Sequence, residues 1–285
     1  MTTRTPTQFA IKFLALTALL FVLYAVDFLN LTWSETVLSA PFILLLVAAL
    51  DTAVVAAAMR RLHTGGWRLV GAIFLLFYGV KTFLVGLEAV YLTDVLPPPL
   101  ARSLFVNGLI VAVVFAPAAV WLLGRRQASA ELDATAEGAR RTPRTVARWP
   151  GRLLLAGVLY FILFVAGGLL LFRPLATALD PVEAAAYGAG FEAPAWLPLF
   201  IVARGILWAL LALPAIRGLG CRSWANGLVL GLVFAVLMAN NLLFPGDIAP
   251  TMRAAHFVEL FVENLLYGLL LVWLVGPRRW GAGAF

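Results

Sequence analysis

Residues 153–172 decide the class of fold, because they read LLLAGVLYFILFVAGGLLLF without one charged side chain. A helix of about 20 apolar residues crosses the hydrocarbon core of a bilayer. Of the 285 residues in the chain, 63% are hydrophobic and 12% are charged, whereas a soluble domain is about half apolar and a quarter charged. This composition excludes a water-soluble globular protein and a disordered chain. It indicates a polytopic membrane protein.

Eight segments of the sequence are long and apolar enough to be membrane spans. We expect all of them to be helices, because lipid leaves the backbone of an open strand without hydrogen-bond partners. The predicted spans are Phe9–Leu29, Leu38–Ala58, Arg68–Leu92, Leu104–Leu123, Leu153–Phe172, Trp196–Ile216, Trp224–Phe244 and Ala254–Val275. The predicted fold class is all-α, a polytopic membrane helix bundle with eight transmembrane helices.

The basic residues predict the orientation of these spans. With both termini in the cytoplasm, 16 of the 21 Lys and Arg side chains fall on the inner side and three fall on the outer side. Positive charge collects on the cytoplasmic side of membrane proteins. We therefore predict a multi-pass protein of the bacterial inner membrane with cytoplasmic N and C termini. The same distribution explains the net charge of +7 without a nucleic-acid partner.

The two halves of the chain resemble each other. A shift of 157 residues places residues of the first half on identical residues of the second half. The matched pairs are Pro41 and Pro198, Arg60 and Arg217, Trp67 and Trp224, and Phe77 and Phe234. We predict two parallel four-span repeats, residues 1–124 and 153–285, joined by a basic cytoplasmic linker at 125–152. The alternative is a chance match of apolar sequence.

A short helix is predicted between the fifth and sixth spans. Asp180 has the residue type of an N-cap, Pro181 suits the first helical position, and Glu183 suits the third. Gly188 would end the helix. We expect this helix to lie at the outer membrane surface, where it is a candidate lid.

Polar and charged residues inside spans are the candidate functional residues, because an ionisable group there costs about 2.5–3.5 kcal/mol on insertion scales. Two cations and two anions lie near the midplane. These are Asp51, Lys81, Arg204 and Glu263. A second layer lies closer to the outer surface and contains Glu88, Asn107, Asn240, Asn241, His256 and Glu259. We expect mutual neutralisation at the midplane, with Glu263 within reach of Lys81 or Arg204.

The eighth span carries the most informative pattern. His256, Glu259, Glu263 and Tyr267 are spaced by three, four and four residues, so they form one stripe on a helix. That stripe must face protein or water, and Asn264 adjoins it. The candidate ligand-binding residues are Lys81, Glu88, Asn107, Arg204, Asn240, Asn241, His256, Glu259, Glu263 and Asn264.

Several kinds of chemistry fit these residues. His256, Glu259 and Glu263 could bind a divalent metal or shuttle protons, and a structural polar contact between helices is the alternative. The spacing is not that of a zinc protease, so we assign no metal. Lys81 could be a Schiff-base or general-base lysine, and a paired structural lysine is the alternative. The sequence assigns no cofactor.

Two stretches resemble a known group of sequences. The first is Tyr78-Gly79-Val80-Lys81-Thr82-Phe83 with Glu88-Ala89-Val90-Tyr91, and the second is His256-Phe257-Val258-Glu259 with Asn264-Leu265-Leu266-Tyr267-Gly268. In these stretches the chain resembles a group of uncharacterised bacterial eight-span integral membrane proteins. The resemblance implies the eight-span fold over the whole chain and no established activity.

Three classes of function therefore remain open. The first is binding or transport of a small ligand or ion through a polar, charged pocket open toward the outer face, because parallel repeats with midplane charges are common in carriers. The second is an intramembrane enzyme that uses His256, Glu259 and Glu263 on a lipid or lipid-linked substrate. The third is a structural subunit of a larger membrane complex. The bilayer itself is the one partner that the composition implies.

Overall fold

The computed structural model describes residues 6–34, 39–91, 98–124, 149–189, 194–245 and 248–276. Within these residues, eight helices are long and apolar enough to cross a membrane. The predicted all-α fold with eight spans is confirmed. Residues 125–148 of the predicted linker lie outside the described residues, and residues 149–152 already belong to the fifth span.

We number the spans in chain order. They are Pro6–Ala25, Pro41–Arg61, Gly66–Tyr91, Pro98–Leu123, Trp149–Leu179, Leu197–Gly218, Trp224–Leu243 and Pro250–Val275. The predicted short helix is present at Pro181–Ala189 and is called the connecting helix below. As the sequence predicts, the Asp180 carboxylate accepts hydrogen bonds from the backbone N–H groups of Val182 and Glu183, at 3.1 Å and 3.0 Å.

Prolines begin four of the spans. Pro6, Pro41, Pro98 and Pro250 are the first helical residues of spans one, two, four and eight. A proline is favoured there, because the first N–H groups of a helix have no partner within the helix. Spans four and eight begin earlier than predicted, since polar residues in their first two turns lower the local hydropathy without preventing a helix.

Three of the spans change their helical form along their length. Span three consists of the α-helix Gly66–Tyr78, a π-helical segment at Gly79–Leu84 and the α-helix Val85–Tyr91. Span five consists of the α-helix Trp149–Gly167, a π-helical segment at Gly168–Phe172 and the α-helix Arg173–Leu179. Span seven is α-helical over Trp224–Ala239 and ends in the 3₁₀ turn Asn240–Leu243. Isolated π turns inside α-helices often occur at functional sites.

Spans one and five end furthest from their predicted last residues. Span one ends at Ala25 instead of Leu29, because the next residues enter a two-residue antiparallel ladder in which Asp27 pairs with Thr32. Leu31 turns the chain with a positive φ of 52°. Span five continues beyond Phe172, and its proline at 174 is accommodated directly after the π segment, in the first turn of the α-helix Arg173–Leu179.

The chain divides into two compact units. Unit 1 comprises Met1–Arg140 and Pro214–Gly220, and unit 2 comprises Arg141–Leu213 and Cys221–Phe285. In unit 1, span one packs against spans two and four, and span three packs against span four. The rings of Phe77 and Phe115 meet there with centroids 4.7 Å apart.

Unit 2 is held together by glycines at close helix crossings. A Cβ on Gly268 would lie 2.6 Å from the Gly231 Cα atom, where spans seven and eight cross. A Cβ on Gly205 would lie 3.0 Å from the Gly157 Cα atom, where spans five and six cross. Small residues allow helix backbones to approach closely in membranes, where packing replaces the hydrophobic effect.

The helix ends bear on the predicted repeat. Under the shift of 157 residues, span two overlaps span six, and span three begins within one residue of the position equivalent to the start of span seven. The two continuations differ, because span three enters a π segment at Gly79 while span seven stays α-helical as far as Ala239. The internal repeat stays a prediction.

We expect Gly231→Ala to lower the midpoint of thermal unfolding in detergent, because the new Cβ would overlap the carbonyl oxygen of Leu265. Overpacking of this kind costs about 1–3 kcal/mol. Gly71→Ala is the matched control, since no atom lies within 4 Å of its new Cβ. An unchanged midpoint in Gly231→Ala would contradict the close crossing of spans seven and eight.

Candidate functional site

The ten candidate residues fall into two groups. Unit 1 contains Lys81, Glu88 and Asn107, and unit 2 contains Arg204, Asn240, Asn241, His256, Glu259, Glu263 and Asn264. Within each unit, some of these residues make contacts that stabilise the fold, and others lie close together at one place.

Lys81 belongs to a buried ion pair within unit 1. Its Nζ atom lies 3.4 Å from Oδ2 of Asp51, and the same oxygen accepts a hydrogen bond of 2.7 Å from the hydroxyl of Tyr24. Asp51 is 0% exposed and Lys81 is 8% exposed. Since Lys81 lies in the π segment of span three, the three groups join spans one, two and three. This pairing matches the structural alternative for Lys81.

Asn107 connects span four to the turn that follows span one. Its side-chain amide donates to Oδ1 of Asp27 at 2.9 Å, and its side-chain oxygen accepts from the backbone N–H of Phe28 at 3.0 Å. Hydrogen bonds from the amides of Asn107 and then Asn30 hold the pKa of Asp27 below its ordinary value. Asn107 thus anchors a turn. Glu88 lies half-buried in the last helix of span three.

His256 is the centre of a three-residue hydrogen-bonded chain in unit 2. Its Nδ1 atom lies 2.7 Å from Oε2 of Glu259, one turn further along span eight. Its Nε2 atom lies 2.9 Å from the hydroxyl of Tyr187 on the connecting helix. When the imidazole is neutral with Nδ1 protonated, Nδ1 donates to the carboxylate and Nε2 accepts from the phenol.

The π segment of span five supplies the third ring at this place. Phe172 stacks on His256 with ring centroids 4.3 Å apart, and its ring lies 5.6 Å from that of Tyr187. The connecting helix is anchored to spans five and eight, because Ala184 packs against a small apolar cluster of Ala176, Met252 and Ala255. The rings of Phe172, Tyr187 and His256 therefore cover the N-terminal part of the stripe.

Two carboxylates converge below these rings. A Cβ placed on Gly167 would lie 3.6 Å from Oε2 of Glu263 and 3.8 Å from Oε1 of Glu259. A Cβ on Gly168 would lie 3.6 Å from Oε1 of Glu259. Because these glycines have no side chains, the two carboxylates share the space beside the start of the π segment. We call Gly167 and Gly168 with these carboxylates the carboxylate shelf.

Exposure decreases steadily along the stripe. The side chain of His256 is 25% exposed, while Glu259 is 5% exposed, Glu263 is 2% exposed and Tyr267 is 0% exposed. The stripe is thus turned toward protein, as its spacing predicts. Any solvent molecule or ion that reaches the carboxylate shelf along this stripe approaches from the His256 end.

Arg204 lies among aromatic side chains of unit 2. Its Nη1 atom donates a hydrogen bond of 2.6 Å to the hydroxyl of Tyr160, and Arg204 is 1% exposed. The hydroxyl of Tyr267 donates to the carbonyl of Gly205 at 2.7 Å. The rings of Tyr160 and Tyr267 meet at 4.9 Å, so the guanidinium and the end of the stripe belong to one buried layer. The predicted approach of Glu263 to a cation stays a prediction.

The three asparagines of unit 2 have separate places. Asn241 donates to the carbonyls of Leu237 and Met238 in its own helix, and Asn240 is buried in the 3₁₀ turn that ends span seven. Asn264 donates to the carbonyl of Leu260 at 2.7 Å. Its Oδ1 atom is buried and accepts no hydrogen bond from the described residues.

The described residues contain no group of three or more His, Cys, Asp or Glu side chains that could hold a metal ion. His256, Glu259 and Glu263 remain unassigned as metal ligands, because the imidazole of His256 is already engaged at both nitrogens.

Four members of the site are absent from the sequence-based candidates: Phe172, Tyr187, Gly167 and Gly168. The prediction of a lid at residues 180–188 was the one signal for Tyr187. Gly167 and Gly168 lie within an apolar span and have no polar neighbours in the sequence, so no sequence pattern indicated them.

Comparisons with protein-family models, with curated proteins and with solved structures gave no match for this chain. The side chains of the two units are therefore the basis for assigning a function.

The ion pair of unit 1 can be tested by removing one or both partners. We expect Lys81→Met and Asp51→Leu each to lower stability by about 3–5 kcal/mol, because each leaves a lone buried charge. The double variant should be closer to the wild type than either single variant, since no charge remains. Thermal unfolding of the four proteins in one detergent measures this, and a double variant with additive losses would contradict the pair.

Proposed function

We propose that this integral membrane protein binds a small cation on the carboxylate shelf of unit 2 and transports it. The observation that carries the proposal is the number of buried acidic and basic side chains in each unit. Among the described residues, unit 1 buries one carboxylate, Asp51, and one ammonium, Lys81. Unit 2 buries two carboxylates, Glu259 and Glu263, and one guanidinium, that of Arg204.

The buried side chains that the structure describes in unit 2 include one more carboxylate than permanently charged basic groups. An isolated ionised carboxylate in an apolar environment is so unfavourable that it takes up a proton or pairs with a cation instead. The charges of unit 1 balance within the unit, so the same requirement does not arise there. A bound proton, a small cation or a protonated His256 would balance unit 2. This exchangeable positive charge is what a cation-transporting site requires.

The gradient of exposure supports access from one side. His256 is the most exposed member of the stripe, and Glu259 and Glu263 follow at greater depth. The Lys and Arg distribution supports cytoplasmic termini in a bacterial inner membrane, and in that orientation the His256 end faces outward. The cation would then bind from the outer face. Parallel repeats with a site near the midplane are consistent with a carrier.

A second candidate function rests on the chain of Tyr187, His256 and Glu259. A carboxylate that orients an imidazole, which in turn contacts a hydroxyl, is also the arrangement of a general base with its nucleophile. At the outer membrane surface, its substrate would be a lipid or a lipid-linked molecule. This candidate requires a chemically altered lipid after incubation with the protein, and the cation proposal does not.

The proposed orientation is tested by cysteine labelling in a Cys221→Ser background. We expect an impermeant maleimide to label Val182→Cys on intact cells, because Val182 is 77% exposed on the connecting helix. Ala136→Cys should react only after the membrane is opened. The reverse pattern would overturn the orientation.

The cation site is tested by the stability of purified protein in lipid nanodiscs. A ligand at 100 times its Kd stabilises the folded state by about 2.7 kcal/mol. We expect the unfolding midpoint of the wild type to depend on pH or on NaCl compared with choline chloride, and Glu263→Gln to lose that dependence. Glu183→Gln, at an exposed position of the connecting helix, is the control that should keep it. A Glu263→Gln variant with the wild-type dependence would refute the site.

A further inference from the structure

We infer that the transported cation is a proton, and that Tyr187, His256 and Glu259 form the path by which it reaches the carboxylate shelf. The inference rests on the proposed function and adds the identity of the ion and its route. It is carried by the geometry of three side chains from two elements of unit 2.

The first argument is continuity. The hydroxyl of Tyr187, the two nitrogens of His256 and Oε2 of Glu259 are joined by hydrogen bonds of 2.9 Å and 2.7 Å. Each of the first two groups can accept a proton on one side and release one on the other. Tyr187 is 37% exposed and Glu259 is 5% exposed, so the chain leads from the surface to a buried carboxylate.

The second argument is steric. Phe172 stacks on His256 at 4.3 Å, and Tyr187 meets the same imidazole edge-on at 5.8 Å. These rings occupy the exposed end of the stripe, where a hydrated metal ion would have to pass. A proton needs no opening, because it moves along existing hydrogen bonds. The arrangement therefore favours a proton over a larger cation.

The transfer balances atom by atom. A hydronium ion gives a proton to the oxygen of Tyr187 while the original hydroxyl proton moves to Nε2 of His256. The Nδ1 proton of His256 then passes to Oε2 of Glu259, and the hydronium ion has become water. His256 is left in its other tautomer, and the starting form returns when the two tautomers exchange.

The carboxylate shelf gives the proton a second position. Oε1 of Glu259 and Oε2 of Glu263 both lie within 3.8 Å of the place that a Cβ on Gly167 would occupy. A proton that passes from Glu259 to Glu263 through a bridging water leaves the first carboxylate free to receive another. With one proton on the shelf, the remaining carboxylate and Arg204 balance in charge.

Other charged groups belong to the elements packed around His256. They are Arg173 on span five, Asp180 and Glu183 before and within the connecting helix, and Arg253 and Glu263 on span eight. Tyr187 and Glu259 are the titratable groups with described contacts to the imidazole.

The test uses the full chain in liposomes that contain a pH-sensitive dye, with a potassium gradient and valinomycin to impose a potential. We expect proton flux in the wild type, a loss of about tenfold or more in His256→Gln, and a smaller loss in Tyr187→Phe. Tyr187→Phe keeps the ring packing and so guards against a folding defect. Tyr91→Phe, at a 55% exposed tyrosine of unit 1, is the control with wild-type flux.

The same liposomes are assayed for radioactive sodium uptake. Sodium uptake that requires Glu263, without proton flux, would refute the proton and leave the cation proposal standing. Proton flux that needs Glu259 but is unchanged in both His256→Gln and Tyr187→Phe would refute the path. Neither flux, together with an unfolding midpoint insensitive to both cations, would refute the inference and the proposed function together.

Discussion

A charged side chain within a membrane must meet an opposite charge or lose its own, because its hydration cannot be replaced by lipid. In unit 1, this constraint brings Asp51 of span two to Lys81 of span three, and the hydroxyl of Tyr24 adds a hydrogen bond from span one. In unit 2, it turns Glu259 and Glu263 toward protein. The same physical requirement thus produces a closed ion pair in one unit and an unequal set of charges in the other.

The positions of the charged side chains in unit 2 depend on how its helices pack. Gly231 and Gly268 bring spans seven and eight into backbone contact, and Gly157 and Gly205 do so for spans five and six. With these crossings fixed, Tyr160 can reach Arg204, and the stripe of span eight can lie along span five. The residues of the site therefore lie on helices that can pack closely because glycines occupy their crossings.

Much of this arrangement can be predicted from the sequence, and the remainder depends on tertiary contacts. The stripe of His256, Glu259 and Glu263 follows from spacing, and the connecting helix follows from Asp180 and Pro181. The pairing of Lys81 with Asp51 does not, since two anions and two cations share one depth. Asn107 was a candidate ligand residue and instead anchors a turn. Tyr187 reaches His256 through the packing of a loop helix, which no local pattern encodes.

The π segment of span five has a consequence for the phase of the helix. One extra residue in a turn rotates everything after it by about 100° relative to a regular α-helix. In an uninterrupted helix, Phe172 would point well away from the face that carries Tyr160 and Gly167. With the extra residue, all three lie on the face that meets span eight, where Phe172 stacks on His256. Deleting a single leucine between Gly168 and Phe172 would remove the extra residue and leave this ring on the same face of a regular α-helix, whereas winding the full-length segment as a regular α-helix would turn the ring away by about 100°.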